Sequence, residues 1–436
     1  MFKKVTFVCC VLLICLNVNA QTDTLTSKDF TFTLEECLNY ALNNSYNRKS
    51  YELSEQSAEE SYNQSKNNRF PSVSASASES MSHTGKSDKV NFSGNVGVNA
   101  SQTIYQGGSV RNNIEQSRLQ MEQTKVKTSQ FDDNLTIQIL NEYLNALSCI
   151  ERLKYQQSIV NSSRQELQRA ELRYNAGALI ESDYLMHKAQ LQSDLADSLN
   201  TVISLENSLL NLKRYLSMDP QANLTIIEPD TSAIDYMALL PSNEEVLDKA
   251  KDHMPDMKLA LSAIELANTA LEISKSGTKP SLSASAGVNT GHSNFENFGT
   301  QLSDRFSQQI GLSLSYPIWD RGATKLQISK SKIQQQQAEL DYRQTELDVT
   351  RTVVNQYRAV ELEYKRYLAY RERKDAYAAS FEAYKKKFEV GSILTVDLLQ
   401  QQNNYINALN NYINAKYGFI LNRKILDVYT GENIGL

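Results

Sequence analysis

Two stretches of the sequence decide the fold: residues 174–185, YNAGALIESDYL, and residues 388–399, FEVGSILTVDLL. Both contain an aromatic residue, a glycine, an aliphatic residue and an aspartate in the same order, and they lie 214 residues apart. A glycine between two helical segments is typical of a tight turn, because glycine adopts a left-handed backbone without steric cost. One such turn alone would indicate only a helix hairpin. The repetition predicts a chain that contains two copies of one unit.

Long segments without proline or glycine surround these turns. Proline is absent from residues 72–219 and 318–436, and glycine is absent from residues 109–176 and 323–390. The glycine-free segments are rich in residues that favour helix, and a helix of about 65 residues would span roughly 100 Å. We predict two long helices at residues 108–174 and 322–388, and two partner helices at residues 179–216 and 394–427.

The apolar residues of the two long segments match between the copies. The first set advances in steps of 4, 4, 3 and 4 residues, and the second repeats those steps 214 residues later. This spacing is typical of a coiled-coil seam. The matched pairs are Leu135 and Val349, Ile139 and Val353, Tyr143 and Tyr357, Ala146 and Val360, and Ile150 and Tyr364.

A different pattern precedes each long helix. Apolar and small or polar residues alternate with a period of two in residues 91–101 and 310–318, and a similar stretch lies upstream of each, PSVSASAS or PSLSASAG. Period-two alternation predicts strands, so each copy is expected to contain a β-hairpin, at residues 71–105 and 280–319. A soluble β-sandwich alternates in the same way, so the alternation alone does not indicate a membrane.

The number of strands favours an assembly of three chains. Four strands cannot close a sheet, and an open edge cannot lie in lipid because its backbone polar groups would lack partners. Two chains would supply eight strands, whose interior is filled by side chains, whereas three would supply twelve and leave a passage. We therefore expect a mainly helical fold with a membrane β-barrel. Tandem repeats of long coiled-coil helices and β-hairpins would form a trimer, whose twelve-stranded barrel continues into a helical tunnel.

The beginning of the sequence has the pattern of an export signal. Lys3 and Lys4 precede an apolar run that is too short to be a transmembrane helix, and Ala20 supplies a small residue for cleavage. We expect a signal peptide at residues 1–20. The rest divides into a first repeat, a linker with some strand character and a second repeat, at residues 21–216, 217–241 and 242–436. Each repeat is expected to begin with one helix, which precedes its β-hairpin.

Charge and residue usage argue against several functions. The formal net charge is −5, or −7 without Lys3 and Lys4, and no basic stripe is present, so nucleic acid is not expected as a partner. Cys37 and Cys149 remain after the signal; two buried free thiols are expected, although an oxidising compartment would permit a bond. No nucleophile motif or phosphate loop occurs, so no enzyme activity or cofactor is expected. The histidines have no metal-ligand spacing: His83, His187, His253 and His292.

The chain resembles the TolC-like outer-membrane efflux protein family, also called outer membrane factors. The resemblance rests on TLEECLNYALNN (Thr33–Asn44), on the strand starts PSVSASAS and PSLSASAG, on IYQGG and IWDRG at the strand ends, and on the two turns. It covers nearly the whole exported chain, in order and in both copies. It implies a homotrimer in outer membrane lipid of a Gram-negative bacterium, with a helical tunnel in the periplasm. A periplasmic adaptor (membrane fusion) protein and an inner-membrane pump would be its partners, in efflux or type I secretion.

The same resemblance implies a role for the two turns. In the family they form the periplasmic tip, which meets the adaptor and constricts the tunnel. The expected tip residues are Arg173, Tyr174, Ala176, Gly177, Ala178 and Leu179 in the first turn, and Lys387, Phe388, Val390, Gly391, Ser392 and Ile393 in the second.

Four residues are expected to constrict the tunnel: Asp397, Gln400, Phe388 and Asp183. The resemblance implies that Asp397 faces the pore, although an aspartate on a helix surface is otherwise usually just solvated. The family's second acidic position falls on Gln400, so a ring of charge should be weaker here. Phe388 and Ile393 stand where the family has an aromatic hydroxyl and a basic residue, which favours an apolar constriction.

The alternative function is an exported coiled-coil protein with a structural or adhesive role. A coiled-coil rod has no reason to carry two β-hairpins at matched positions. The hairpins therefore favour the efflux channel.

Overall fold

The computed structural model describes residues 29–84, 87–229, 239–293, 298–432 and 434. The predicted signal peptide lies outside the described residues, as do part of the linker (230–238) and parts of the two hairpin connections (85–86 and 294–297). The described residues form two successive copies of one arrangement of helices and strands, and most of them are helical. This confirms the mainly helical tandem repeat that the sequence predicted.

The first copy begins with a strand and a capped helix. Thr33 precedes the first helix, and its hydroxyl accepts a hydrogen bond from the Glu36 amide, while the Glu36 carboxylate accepts one from the Thr33 amide at 2.8 Å. This reciprocal pair is a capping box, which satisfies two amides at the helix start. The elements are β1 (Asp29–Phe32), α1 (Leu34–Asn44), α2 (Tyr46–Asn67), β2 (Ser72–Thr84), β3 (Ser87–Gln106), α3 (Ser109–Asn175), α4 (Glu181–Tyr215) and, in the linker, β4 (Asn223–Ile226).

From its first helix onward, the second copy repeats the order of helices and hairpin strands with one addition, a short helix inside the hairpin connection. Its long helix has 67 residues, as does α3, so each spans roughly 100 Å. The elements are α5 (Asn243–His253), α6 (Pro255–Ser276), β5 (Ser281–His292), α7 (Phe298–Asp304), β6 (Ser307–Ser315), α8 (Ala323–Glu389) and α9 (Thr395–Thr430).

The structure differs from the sequence predictions in two local features. Each copy has two helices before its β-hairpin, where one was expected. The Ser45 hydroxyl caps α2 by accepting from the Arg48 amide, and Pro255 occupies the first position of α6, which suits its fixed φ. The strand predicted at residues 310–318 ends at Ser315, because Pro317 has no amide hydrogen to give to a ladder.

The strands form two sheets that join the copies. β1 pairs with β4 in parallel, and the larger sheet has the antiparallel order β2-β3-β5-β6. In this sheet β3 of the first copy pairs with β5 of the second, while β2 and β6 form its edges. One face carries apolar residues, and Ile310 on β6 is 91% exposed. The opposite face is polar: the Ser72 and Ser101 hydroxyls lie 2.9 Å apart, and those of Ser80 and Ser93 lie 2.7 Å apart.

The hydrophobic core lies around the middle of the long helices, where the linker crosses them. All ten predicted seam residues belong to this core or pack against it, which confirms the seam. The Tyr143 hydroxyl donates to the Ile227 carbonyl at 2.6 Å, and its counterpart Tyr357 donates to the Pro241 carbonyl at 3.2 Å. Cys37 and Cys149 are free and buried, as expected, and burial raises the pKa of the Cys37 thiol to about 12.

Candidate functional site

The first turn (residues 173–179) closes α3 with a glycine in the left-handed region. Ala176 keeps a near-helical backbone, and Gly177 then turns to a φ of +74°. The Gly177 amide donates to the Tyr174 carbonyl at 2.9 Å, and the Ala178 amide donates to the Arg173 carbonyl at 2.8 Å. This pair of hydrogen bonds is the Schellman motif. The predicted turn at Gly177 is confirmed.

The second turn (residues 387–393) has the same geometry. Gly391 has a φ of +70°, its amide donates to the Phe388 carbonyl at 3.0 Å, and the Ser392 amide donates to the Lys387 carbonyl at 3.0 Å. No atom lies within 4 Å of where a Cβ would stand on Gly177 or Gly391, so both positions favour glycine for its φ and not for space. The Val390 side chain of this turn is 79% exposed.

The two turns lie side by side, at the ends of α3 and α8 that are farthest from the sheet. We call α3 and α4 the first helix pair and α8 and α9 the second helix pair. The Phe388 ring of the second pair packs against the His187 ring of the first, with 5.8 Å between centroids. Arg169 Nη1 of the first pair lies 3.5 Å from the Glu389 carboxylate of the second. Both charges are half exposed, so this ion pair contributes only about 0–1 kcal/mol.

A cavity of about 450 Å³ lies between the turns. Its apolar lining comes from both helix pairs, and charged residues of both signs stand around it. Phe388, predicted to constrict the tunnel, lies in this lining within the chain, and its role at the tunnel axis stays a prediction. The lining residues are Glu166, Arg169, Ala170, Leu172, Arg173, Leu179, His187, Phe388 and Glu389.

His187 belongs to this site, although its place there was not predicted from the sequence. Its side chain is only 3% exposed. Burial lowers the pKa of the imidazole, Asp183 acts in the opposite direction, and Arg173 lowers it further. The available signal was its spacing, because Leu191, also buried, follows one helical turn later.

The predicted acidic positions lie at the starts of the partner helices. Asp397 is exposed, and its carboxylate accepts from the Leu394 amide at 3.2 Å. Asp183 is half-buried in the first turn of α4, and the amide of the exposed Gln400 donates to Asn404 at 3.2 Å. Negative charge is favoured at a helix start. A ring of these residues would form between chains, so it stays a prediction.

The sequence matches the family model for outer membrane efflux protein over residues 37–217 and 246–432. These two segments coincide with the two copies and cover most of the chain. The chain belongs to the outer membrane efflux protein family. The resemblance seen in the sequence is therefore confirmed, and the family match favours the efflux channel over the adhesive or structural rod. This efflux protein is located in the outer membrane and extends into the periplasm.

Solved structures have the same fold as this efflux protein. CusC is 17% identical, with a TM-score of 0.80 and coverage of 92% of each chain. CmeC from Campylobacter jejuni is 18% identical (TM-score 0.76; 91% of this chain and 85% of that one). MtrE from Neisseria gonorrhoeae, solved in its open state, is 20% identical (TM-score 0.76; 92% and 89%). A comparison of the sequence with curated proteins finds no match.

Two properties of the described residues bear on the kind of site. None of the helices there combines the length and the apolar character needed to cross a membrane. Within the same residues, no three or more His, Cys, Asp or Glu side chains are grouped so that they could hold a metal ion.

Proposed function

We propose that three copies of this efflux protein form an exit duct through the outer membrane. The duct carries substrates from an inner-membrane pump and a periplasmic adaptor to the exterior, in efflux or type I secretion, and it does so without catalysing a reaction. The observation that supports this most is the sheet β2-β3-β5-β6, whose two edge strands have no partner strand among the described residues.

Unpaired strand edges cannot lie in lipid, because each free amide and carbonyl would lose its hydrogen bond to water. Strands β2 and β6 have 13 and 9 residues, which is about the length of a membrane-spanning strand. Pairing β6 of one chain with β2 of the next chain removes both edges. Three chains give twelve strands and an interior wide enough for passage.

The side chains of the sheet fit this placement. Its apolar face, with the exposed Val73, Ile310 and Leu312, suits lipid, and its face of serine, asparagine and glycine suits a water-filled interior. Aromatic side chains concentrate where the strands meet the helices, as is typical of a membrane–water boundary. They are exposed: Phe70, Tyr105, Tyr316 and Trp319.

The helices would extend the duct into the periplasm. α3 and α8 run roughly 100 Å from the sheet to the two turns, so the turns would form the far end, where an adaptor can meet the twelve predicted tip residues. MtrE was solved in an open state. By likeness of fold, we propose that the tip of this duct also opens and closes.

The trimer can be tested by native mass measurement of protein extracted from outer membranes in detergent. A species of three exported chains is expected, and a monomer or dimer as the sole species would contradict the proposal.

Two neighbouring substitutions on β6 test which face meets lipid. Ile310→Arg places a charge on the apolar face, at a cost of about 2–4 kcal/mol near the middle of the membrane, and should reduce the yield of membrane trimer. Gln309→Arg places the same charge on the polar face and should assemble normally while shifting the ion selectivity of the pore. The opposite pattern would reverse the proposed orientation of the sheet.

A further inference from the structure

One carboxylate of the helical region is buried without an ionic partner. Asp194 on α4 is 4% exposed, and no described Lys, Arg or His forms an ion pair with it. The position 214 residues later is Ala408, which is fully buried. The second copy therefore fills this place with a small apolar side chain, whereas the first copy buries a charge there.

The Asp194 carboxylate is held by three hydrogen-bond donors. The Ser163 hydroxyl donates to Oδ2, and Gln402 Nε2 donates to the same oxygen at 3.2 Å. Gln190 Nε2 donates to Oδ1 at 2.8 Å. Gln402 Nε2 also donates to the Ser163 hydroxyl oxygen at 2.9 Å. Both carboxylate oxygens are satisfied, which is the condition for keeping a buried charge.

Two of these four bonds cross between the two helix pairs. Ser163 lies on α3 and Asp194 on α4, so their bond is internal to the first pair. Gln402 lies on α9 and is itself buried, so its bonds join the second pair to the first. A movement of α9 away from α3 and α4 breaks both bonds of Gln402 at once.

The buried charge makes this junction less secure than an apolar seam. Burial raises the pKa of Asp194, against the opposing effect of its hydrogen bonds, because the ionised form prefers water. Separation of the helix pairs would give the carboxylate the water that it lacks in the packed state. The packing of the two helix pairs at Asp194 therefore depends on the hydrogen bonds of Gln402. A buried alanine, such as Ala408 at the matching position of the second copy, needs no such bonds.

We propose that Ser163, Asp194 and Gln402 form a polar clasp that holds the second helix pair against the first and so sets the width of the duct at its tip. The inference rests on the proposed duct and concerns its regulation. The three side chains are positioning residues. They act through α9, which carries Asp397 near its start, and through the second turn, which precedes α9.

Two adjacent glutamines provide a matched test. Gln402→Leu removes the two bonds that Gln402 makes to the first helix pair and leaves Ser163 and Gln190 on Asp194. Gln401→Leu is the same substitution one residue earlier, where the side chain accepts only from Ser380 of its own helix pair, at 3.4 Å. In planar bilayers, Gln402→Leu should raise the resting conductance several-fold, and Gln401→Leu should leave it at the parental value.

A conservative variant separates the clasp from general packing. Asp194→Asn keeps the shape: its carbonyl oxygen can accept from Ser163 and Gln402, while Gln190 turns its own amide so that its oxygen accepts from the new NH2 group. It should keep the parental conductance. A Gln402→Leu trimer with a lower melting temperature and parental conductance would overturn the proposal, because a merely structural contact would behave in that way.

A distance measurement tests the clasp without relying on a pore. Spin labels on cysteines at the exposed positions Glu171 and Lys386 report the separation of the two helix pairs, and dilution with unlabelled chains leaves one labelled chain in most trimers. The native Cys37 and Cys149 are buried, and a parental control without the new cysteines reports any labelling of them. Gln402→Leu should lengthen or broaden the distance, and Gln401→Leu should not. If the two variants differ in distance but the parental protein forms no pore, the proposed duct is refuted and the proposed clasp stands. If the two variants show equal distances, the clasp is refuted.

Discussion

The two turns share one backbone and differ in what their side chains contact. Gly177 and Gly391 have nearly equal φ angles and the same Schellman hydrogen bonds. Tyr174 and Phe388 occupy equivalent positions before these glycines, yet Tyr174 stacks on Tyr184 within its own helix pair, at 5.3 Å, whereas Phe388 crosses to His187 of the other pair. The two copies therefore share the hairpin geometry and differ in which helix pair their aromatic side chains contact.

The same contrast continues along the helices. Tyr143 and Tyr357 both bond to linker carbonyls, so the copies are alike at the core. Asp194 and Ala408 differ completely in polarity, although both are buried. The two copies therefore have equivalent side chains in the hydrophobic core, and they have different side chains at this buried position of their partner helices.

The largest effect is expected from breaking what the turns share. Valine at Gly177 or at Gly391 forces a β-branched residue into the left-handed region, which costs about 1–3 kcal/mol at either site. The helices are supported by the seam, so trimers should still reach the outer membrane while efflux falls to a similar extent in both variants. Complementation of a strain lacking the protein, with the trimer yield measured in parallel, provides the readout.

Gly299→Val is the control for the turn variants. This glycine has an unstrained φ and open space around it, so efflux should not change. Loss of the assembled trimer in either turn variant would show that the glycines serve folding in the first place.

The next effect should distinguish the two aromatic residues. Phe388→Ala removes a contact between the helix pairs, and we expect a several-fold rise in resting conductance in planar bilayers. Tyr174→Ala removes a contact inside one pair and should leave the conductance unchanged. A Phe388→Ala channel as closed as the parent would mean that the tip is held by other contacts.

A smaller difference is expected between the two aspartates. Asp397→Asn keeps an acceptor for the Leu394 amide but removes three charges per trimer, so cation selectivity and block by divalent or trivalent cations should weaken. Asp183→Asn should change cation selectivity and cation block less than Asp397→Asn does. Reversal potentials across a salt gradient measure both, and an unchanged value for Asp397→Asn would remove this residue from the tunnel axis.

The smallest effect concerns the pH dependence of stability. Burial lowers the pKa of His187, so its contribution is present above its ordinary pKa of about 6.5 and is lost as the pH falls through the lowered value. His187→Gln introduces the residue of the second copy, Gln401. On acidification, the parent should lose stability relative to the His187→Gln variant. Thermal unfolding across about pH 7.5 to 5.5 tests this, and parallel pH profiles would contradict it.

The sequence predicted the features that depend on neighbouring residues. Gly177 and Gly391 were visible because a left-handed turn limits the choice of residue, and the seam was visible because its members are apolar at helical spacing. His187, Asp194, Thr201 and Ser208 continue a buried stripe on α4 that includes Leu191 and Leu212. The polar members hide this stripe from any search for apolar periodicity, so the clasp was missed although its spacing was present.

Contacts between the copies were outside the reach of sequence reasoning. Glu79 and His292 lie 2.9 Å apart across Gly94, where any Cβ would collide with both side chains. Nothing in the local sequence relates these positions, because the register of β3 against β5 depends on how the two copies come together. The break between α1 and α2 was missed for a simpler reason, since a serine cap inside a polar helix resembles an ordinary surface residue.

The pairing of β3 with β5 governs the order in which the chain can fold. Glu79 and His292 are 213 residues apart, and the Asp29 and Asn223 side chains that meet beside β1 and β4 are 194 residues apart. Contacts this distant form late, because long loops must close first, whereas each antiparallel helix pair can form from its own turn. Until the second copy has been exported, the first β-hairpin would therefore expose its apolar face and two unpaired strand edges. Such an intermediate is prone to aggregate, so we expect the secreted chain to require a periplasmic chaperone that shields strands between translocation and assembly.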